Sequence, residues 1–175
     1  MTVSPLSLAN VLTVLVAFAC LGSLAQQSRG DVVRLWRLAV PPSLAVAQAL
    51  VLLAGVFDAT LVHDAEWVAA AIVGAAIGRT RGWSVPMQVD QTWRLVRMPP
   101  TFDAIMAAVG LIILSIVDFV SAALADLFVA PDLVAAAAAF CAGYIGGRAV
   151  ALAVRAGRQP HIGLNVSGET STRSA

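Results

Sequence analysis

Residues 78–100 read GRTRGWSVPMQVDQTWRLVRMPP and form the longest polar interruption between apolar stretches of this chain. The segment holds four of the eleven basic residues and two of the four Trp residues. Because apolar stretches of about membrane length lie on both sides, it is predicted to connect two transmembrane helices. Its composition is typical of a loop at the cytoplasmic membrane surface, where Arg sets orientation and Trp anchors the interface.

The composition of the whole chain indicates lipid as the solvent. The 175 residues are 59% hydrophobic and 12% charged, whereas about a quarter of the residues of a soluble domain are charged. The net charge of +1 excludes a nucleic-acid partner, which requires a clustered basic face beyond the few Arg residues that orient a membrane protein. Cys20 and Cys141 form no CxxC pair, and His63 and His161 lie far apart. We therefore expect no disulfide, metal, cofactor or enzymatic activity.

Five apolar stretches are candidates for membrane spans, since about 20 apolar residues are needed to cross the hydrocarbon core. The fold class predicted is an all-α membrane protein, a five-helix transmembrane bundle forming one domain over residues 1–158. The third span is the weakest, because its clean apolar part, Trp67–Gly78, covers only about 18 Å. The polar tail, 159–175, is predicted to be disordered. The spans are placed at about 6–25, 38–56, 59–78, 102–125 and 133–154.

Charge alternates between the connections of these spans. Residues 26–37, residues 78–100 and the segment after the fifth span carry Arg, whereas the other two connections carry acidic residues and no cation. Positively charged loops stay in the cytoplasm. The pattern predicts a multi-pass protein of the bacterial inner membrane with its N-terminus outside and its C-terminus in the cytoplasm.

The connection between the third and fourth spans is predicted to have structure of its own. From Trp83 onward, apolar and polar side chains alternate around Asp90 and Gln91, which favours a small β-hairpin on the inner membrane surface. A short interfacial helix over Val89–Met98 is the alternative, since Val89, Trp93 and Val96 share one helical face. The candidates for interaction in this connection are Arg79, Arg81, Trp83, Asp90, Trp93, Arg94 and Arg97.

The same region carries a resemblance to a known family. A helix ending in Gly-x-x-x-Gly-Arg-x-Arg-Gly (74–82) is followed by Val-Asp-x-x-x-x-Leu-Val-Arg (89–97) and by an apolar helix after Pro99-Pro100. Over residues 72–119 this pattern resembles small uncharacterised bacterial membrane proteins of the CcdC-like type, a group associated with cytochrome c biogenesis. The resemblance implies several helices with a cytoplasmic hairpin, and it supplies no catalytic residue.

Ionisable residues inside the spans need an explanation, because each costs roughly 3 kcal/mol on insertion scales. Asp118 lies about 24 Å along the fourth span, at the level predicted for Asp58, His63 and Asn10. The first interpretation is that these side chains are solvated at the outer interface and that Asp58 caps the third helix; the alternative is that they line an outward-facing polar cavity for protons or cations.

Three further features of the spans concern packing. Arg148 is expected to extend to the inner headgroups, with an ion pair to Asp103 or Asp90 as the alternative. Gln48 is expected to hydrogen-bond a neighbouring helix. The Gly-x-x-x-Gly patterns at residues 74–78 and 143–147 are expected to permit close helix contacts within the chain.

These observations predict an accessory, assembly or interaction protein that uses its Arg- and Trp-rich connection. The expected partners are the lipid bilayer and a membrane protein or a second copy of the chain. The alternative is a small proton- or cation-coupled transporter or channel subunit that uses the polar residues of the outer leaflet.

Overall fold

The computed structural model describes residues 8–54, 61–124 and 129–160, with the backbone alone for 61–63. It contains the five helices predicted. Four helical segments are long and apolar enough to cross a membrane, namely Leu8–Gln27, Leu35–Ala54, Asp103–Leu124 and Pro131–Ala156. The helices are α1 (Leu8–Gln27), α2 (Val40–Ala54, preceded by a 3-10 helix at Leu35–Ala39), α3 (Leu61–Ser84), α4 (Asp103–Leu124) and α5 (Pro131–Ala156).

Proline positions explain where two of these helices begin. Pro41 and Pro42 lie in the first turn of α2, and Pro131 is the first residue of α5. Proline is tolerated there because the first backbone N–H groups of a helix have no intrahelical acceptor. The helices also expose large apolar side chains on their outer surface, including Leu15, Ile72 and Ile113. Such a surface is typical of a helix bundle that faces lipid.

The closest helix pair is α3 with α5. A Cβ atom added at Gly74 would overlap the main chain of Phe140 in α5, and one added at Gly78 would overlap that of Tyr144. Conversely, a Cβ atom added at Gly143 or Gly147 would overlap the main chain of α3. The two Gly-x-x-x-Gly patterns therefore face each other, which confirms the predicted contact within the chain.

The two helices run parallel, since Ala71 lies beside Gly143 and Gly82 lies beside Arg148. This register places α3 alongside α5, one of the four helices with the length and hydropathy of a span.

A three-stranded antiparallel sheet covers one end of the bundle. Its strands are β1 (Val32–Arg34), β2 (Gln88–Asp90) and β3 (Leu95–Arg97), in the order β1-β3-β2. The predicted hairpin is confirmed as β2 and β3, and the interfacial helix over 89–98 is wrong. Strand β1, which was not predicted, pairs Val33 with Val96 along the other edge of β3.

The hairpin loop, residues 91–94, closes without glycine. The Asp90 Oδ1 atom accepts hydrogen bonds from the backbone N–H groups of Thr92 and Trp93 at 3.0 and 3.1 Å. Arg94 then adopts a positive φ of 51°, the left-handed conformation that glycine usually supplies. An aspartate side chain that bonds its own turn in this way stabilises the loop.

The sheet is fixed to the bundle by its own hydrophobic core. Val33, Val96 and Val89 are aligned across the three strands, are buried, and pack with Leu152 and Ala156 of α5. Since α5 continues directly into the main core of the bundle, the sheet and the helices form one packed unit.

Charge separates the two ends of this unit. Within the described ranges, every Arg lies at the sheet end, within about two turns of the helix termini there. At the opposite end, the described residues include Asp64, Glu66 and Asp132 and no Arg. The Arg residues of the sheet end are Arg29, Arg34, Arg37, Arg79, Arg81, Arg94, Arg97, Arg148, Arg155 and Arg158.

Candidate functional site at the sheet end

Helix α3 extends further toward the sheet than predicted. It continues to Ser84, whereas the third span was expected to end at residue 78. Arg79, Arg81 and Trp83 therefore lie on a helix rather than in a loop. All three side chains are exposed.

An arginine of α5 explains this extension. The Arg155 Nη1 atom donates hydrogen bonds to the carbonyl oxygens of Gly82 at 2.9 Å and Val85 at 2.6 Å. These carbonyls lie at and just beyond the C-terminal end of α3, where a positive charge stabilises the helix. The sequence pattern had indicated only an orienting role for the Arg residues after the fifth span.

Two tryptophans and two arginines form a cleft at this end of the molecule. The cleft has a volume of about 470 Å³ and is lined by Arg34, Leu35, Trp36, Trp93 and Arg94; we refer to it as the Trp cleft. Trp36 is 61% exposed and Trp93 is 72% exposed. Two large aromatic side chains are thus largely exposed at this end of the molecule.

The Trp cleft is held in place by main-chain contacts. The backbone N–H of Leu35 donates to the carbonyl oxygen of Arg94 at 2.9 Å, which joins the hairpin loop to the start of the 3-10 helix. The guanidinium of Arg37 lies 5.7 Å from the centroid of the Trp36 ring, within range of a cation–π interaction. The walls of the cleft are therefore positioned before any partner binds.

The structure separates the predicted interaction residues into groups. Trp93 and Arg94 line the Trp cleft, and Arg97 is exposed on the neighbouring strand. Asp90 is only 3% exposed, because its carboxylate is used in the hairpin turn. Arg34 and Trp36 were not predicted as site residues, although RLWR at residues 34–37 resembles the Trp- and Arg-rich WRLVR at residues 93–97.

A partly buried ion pair joins α4 to α5. The Arg148 Nε atom lies 3.1 Å from Asp103 Oδ2, and its Nη2 atom donates to Thr101 Oγ1 at 2.6 Å. The Tyr144 hydroxyl donates to the same Asp103 oxygen at 2.8 Å. Arg148 is 5% exposed, so the expectation that it extends to the headgroups is wrong and the alternative partner Asp103 is correct. This charge is neutralised inside the protein, which indicates a structural role.

The predicted polar cavity at the opposite end is only partly within the described residues. Asn10 Nδ2 donates to Asp118 Oδ2 at 2.9 Å, which joins α1 to α4 at the expected level. Asp64 accepts a hydrogen bond from Trp67 Nε1 at 3.3 Å on the exposed side of α3. Asp58 and the side chain of His63 lie outside the described residues, and the cavity itself stays a prediction.

Gln48 makes the interhelical contact expected of it. Its Nε2 atom donates to the Leu111 carbonyl oxygen at 3.1 Å and to Ser115 Oγ at 2.6 Å. This confirms that a polar side chain joins α2 to α4 in the centre of the bundle.

No protein-family model, curated protein or solved structure matches this chain. The resemblance to proteins of the CcdC-like type therefore stays a prediction, and function has to be inferred from the chemistry of the sheet end.

Proposed function

We propose that this chain is an integral membrane protein of the accessory or assembly type, which binds a protein partner through the Trp cleft. The apolar outer surface of the helices and their lengths support insertion into a membrane. The collection of Arg at the sheet end supports a cytoplasmic position for the sheet, with the N-terminus outside and the bacterial inner membrane as its location.

The observation that carries the proposal is the pair of exposed Trp side chains flanked by Arg. Trp and Arg, together with Tyr, are enriched among the residues that dominate binding energy at protein interfaces. A Trp that only anchors the protein at the headgroup level needs no cleft beside it, whereas Trp36 and Trp93 line an open one of about 470 Å³. A cavity of this size accommodates side chains of a partner.

Pre-organisation also favours binding. The sheet packs on α5 through buried valines, and the hairpin loop is fixed by the Asp90 turn. Little conformational entropy is then lost when a partner occupies the Trp cleft. The described lining residues include neither an acid nor a nucleophile, and an interaction is therefore favoured over catalysis.

The charge of the Trp cleft indicates the chemistry of the partner. Arg34 and Arg94 line it, and Arg37 and Arg97 lie next to it on the same sheet and 3-10 helix. A complementary surface would combine acidic residues with an apolar side chain that enters between the Trp rings. We propose that it belongs to a membrane protein whose acidic segment lies at the inner membrane surface.

Site-specific photocrosslinking in cells tests this proposal. A benzoylphenylalanine at position 93 is expected to form a protein adduct of defined mass, whereas the same group at position 83, on α3 and outside the Trp cleft, forms none. The double substitution Arg34→Glu and Arg94→Glu should abolish the adduct, and Arg81→Glu should leave it unchanged. Equal adducts at both positions, or adducts with lipid alone, would contradict an interaction through the Trp cleft.

A proton- or cation-coupled transporter is the second candidate, and the half-buried Asn10–Asp118 pair favours it. Intramembrane carboxylates are commonly functional. Proteoliposomes containing Asp118→Asn should then lose ion flux, whereas Asp64→Asn, at an exposed position, should retain it. Equal flux in the parent, both variants and empty liposomes would exclude this candidate.

A further inference from the structure

A long apolar groove runs along the bundle between α2 and α3. Its volume is about 870 Å³, and α5 forms its floor. Its walls include Val46 and Leu50 of α2 and Ile72 of α3, and Ala139 and Gly146 of α5 lie on the floor. We refer to it as the α2–α3 groove; it is separate from the Trp cleft.

The glycines of α5 at the groove differ in whether they contact α3. Gly143 and Gly147 are in close contact with the main chain of α3. A Cβ atom added at Gly146 would meet nothing within 4 Å, so this glycine is not required for helix contact. Its lack of a side chain leaves the floor of the groove open.

The length of the groove suits hydrocarbon chains. Its lining extends along α3 from Trp67 to Thr80, about 20 Å at 1.5 Å per residue. The hydrocarbon core of a bilayer is about 30 Å thick, so the groove is long enough for the acyl chains of one leaflet.

The two ends of the groove differ in charge. Arg79 lines the end nearest the sheet, and Trp67 lines the other end. Arg79 is exposed and forms neither a hydrogen bond nor an ion pair with any residue that the structure describes. An unneutralised guanidinium at the membrane surface attracts an anionic headgroup.

We propose that the α2–α3 groove binds an anionic phospholipid of the cytoplasmic leaflet. Its acyl chains lie between α2 and α3 over Gly146, and its phosphate pairs with Arg79. The inference depends on the membrane placement proposed above, and it is independent of any partner at the Trp cleft.

Native mass spectrometry of the full chain, delipidated in detergent and titrated with phosphatidylglycerol or phosphatidylcholine, tests the proposal. The parent should bind one phosphatidylglycerol in preference to phosphatidylcholine. Gly146→Leu should lose this molecule because the leucine side chain fills the groove. Gly22→Leu is the matched control, since a Cβ atom at Gly22 on α1 also meets nothing within 4 Å. Arg79→Gln should reduce the preference for the anionic lipid about fivefold, the effect of one surface Arg.

Several outcomes would overturn the proposal. Equal lipid binding by Gly146→Leu and Gly22→Leu would place the lipid elsewhere on the protein. A dimer in the parent that Gly146→Leu abolishes would identify a second copy as the occupant. Extraction of membranes with alkaline carbonate tests the membrane placement separately. A chain that does not span the membrane would be released by this treatment.

Discussion

Substitution of Asp103 should destabilise the protein more than substitution of its partner Arg148. The two side chains differ in depth, since that of Arg148 is 7% exposed and that of Asp103 is 29% exposed. Asp103→Asn leaves the guanidinium buried without a counter-charge, whereas Arg148→Met leaves a carboxylate that water can reach. The cost of an unpaired charge increases with its burial.

The magnitude follows from the geometry of the pair. The charges of Arg148 and Asp103 are 3.1 Å apart. At an effective dielectric constant of about 20, their attraction is about 5 kcal/mol before the free-energy cost of desolvating both groups is subtracted. Removing one partner of a buried pair costs about 3–5 kcal/mol, and the partial exposure of Asp103 favours the lower end of this range. We expect losses in the free energy of unfolding of about 3 kcal/mol for Asp103→Asn and about 2 kcal/mol for Arg148→Met. The double variant should lose about 2 kcal/mol, less than the sum of the two.

Reversible unfolding in mixed detergent micelles, followed by circular dichroism, measures these differences. Arg81→Met is the matched control, because Arg81 is exposed on α3 and should change stability by less than about 0.5 kcal/mol. Equal losses of stability in Arg148→Met and Arg81→Met, or simply additive effects of the two substitutions at the pair, would contradict a stabilising interaction between Asp103 and Arg148.

The same unfolding assay checks two further predictions. Gly147→Ala should lower stability by about 2 kcal/mol, because its methyl group overlaps the main chain of α3 at Ala75. Gly146→Ala should raise stability by up to about 1 kcal/mol through helix propensity. Similar effects at the two positions would show that α3 and α5 are not in close contact. Arg94→Gly should stabilise the hairpin by about 1 kcal/mol, since glycine adopts a positive φ without strain. Asp90→Ala should destabilise it by about 1 kcal/mol, because the hydrogen bonds to Thr92 and Trp93 are lost. A loss of stability in Arg94→Gly would contradict the turn geometry.

Hydropathy and charge were sufficient to predict the number and order of the helices. Four helical segments are separate apolar stretches of membrane-spanning length, so their positions follow from local composition. The end of α3 depends on a distant residue instead. Residues 79–84 have the composition of a loop, and the helix continues through them because Arg155 of α5 caps its carbonyl groups.

The candidate site was predictable only in part. The alternation of apolar residues indicated the hairpin that carries Trp93, since Val89 and Val96 face the same core. Strand β1 is three residues long, as are β2 and β3, but the residues around it, DVVRLWR at 31–37, do not alternate as those from Trp83 onward do. Its pairing with β3 places Trp36 beside Trp93. This contact joins residues 26–37 to residues 78–100, and no local sequence pattern predicts that these two segments meet.

The orientation of the sheet end is the claim on which the proposed interaction depends most directly, and cysteine accessibility in cells measures it. Single cysteines at Thr92, in the hairpin loop, and at Ala65, near the opposite end of α3, are both at exposed positions, in a background lacking Cys20 and Cys141. A membrane-impermeant maleimide should label Ala65→Cys in intact bacterial cells and Thr92→Cys only after permeabilisation. Labelling of Thr92→Cys in intact cells would place the Trp cleft outside the cytoplasm and contradict the proposed interaction.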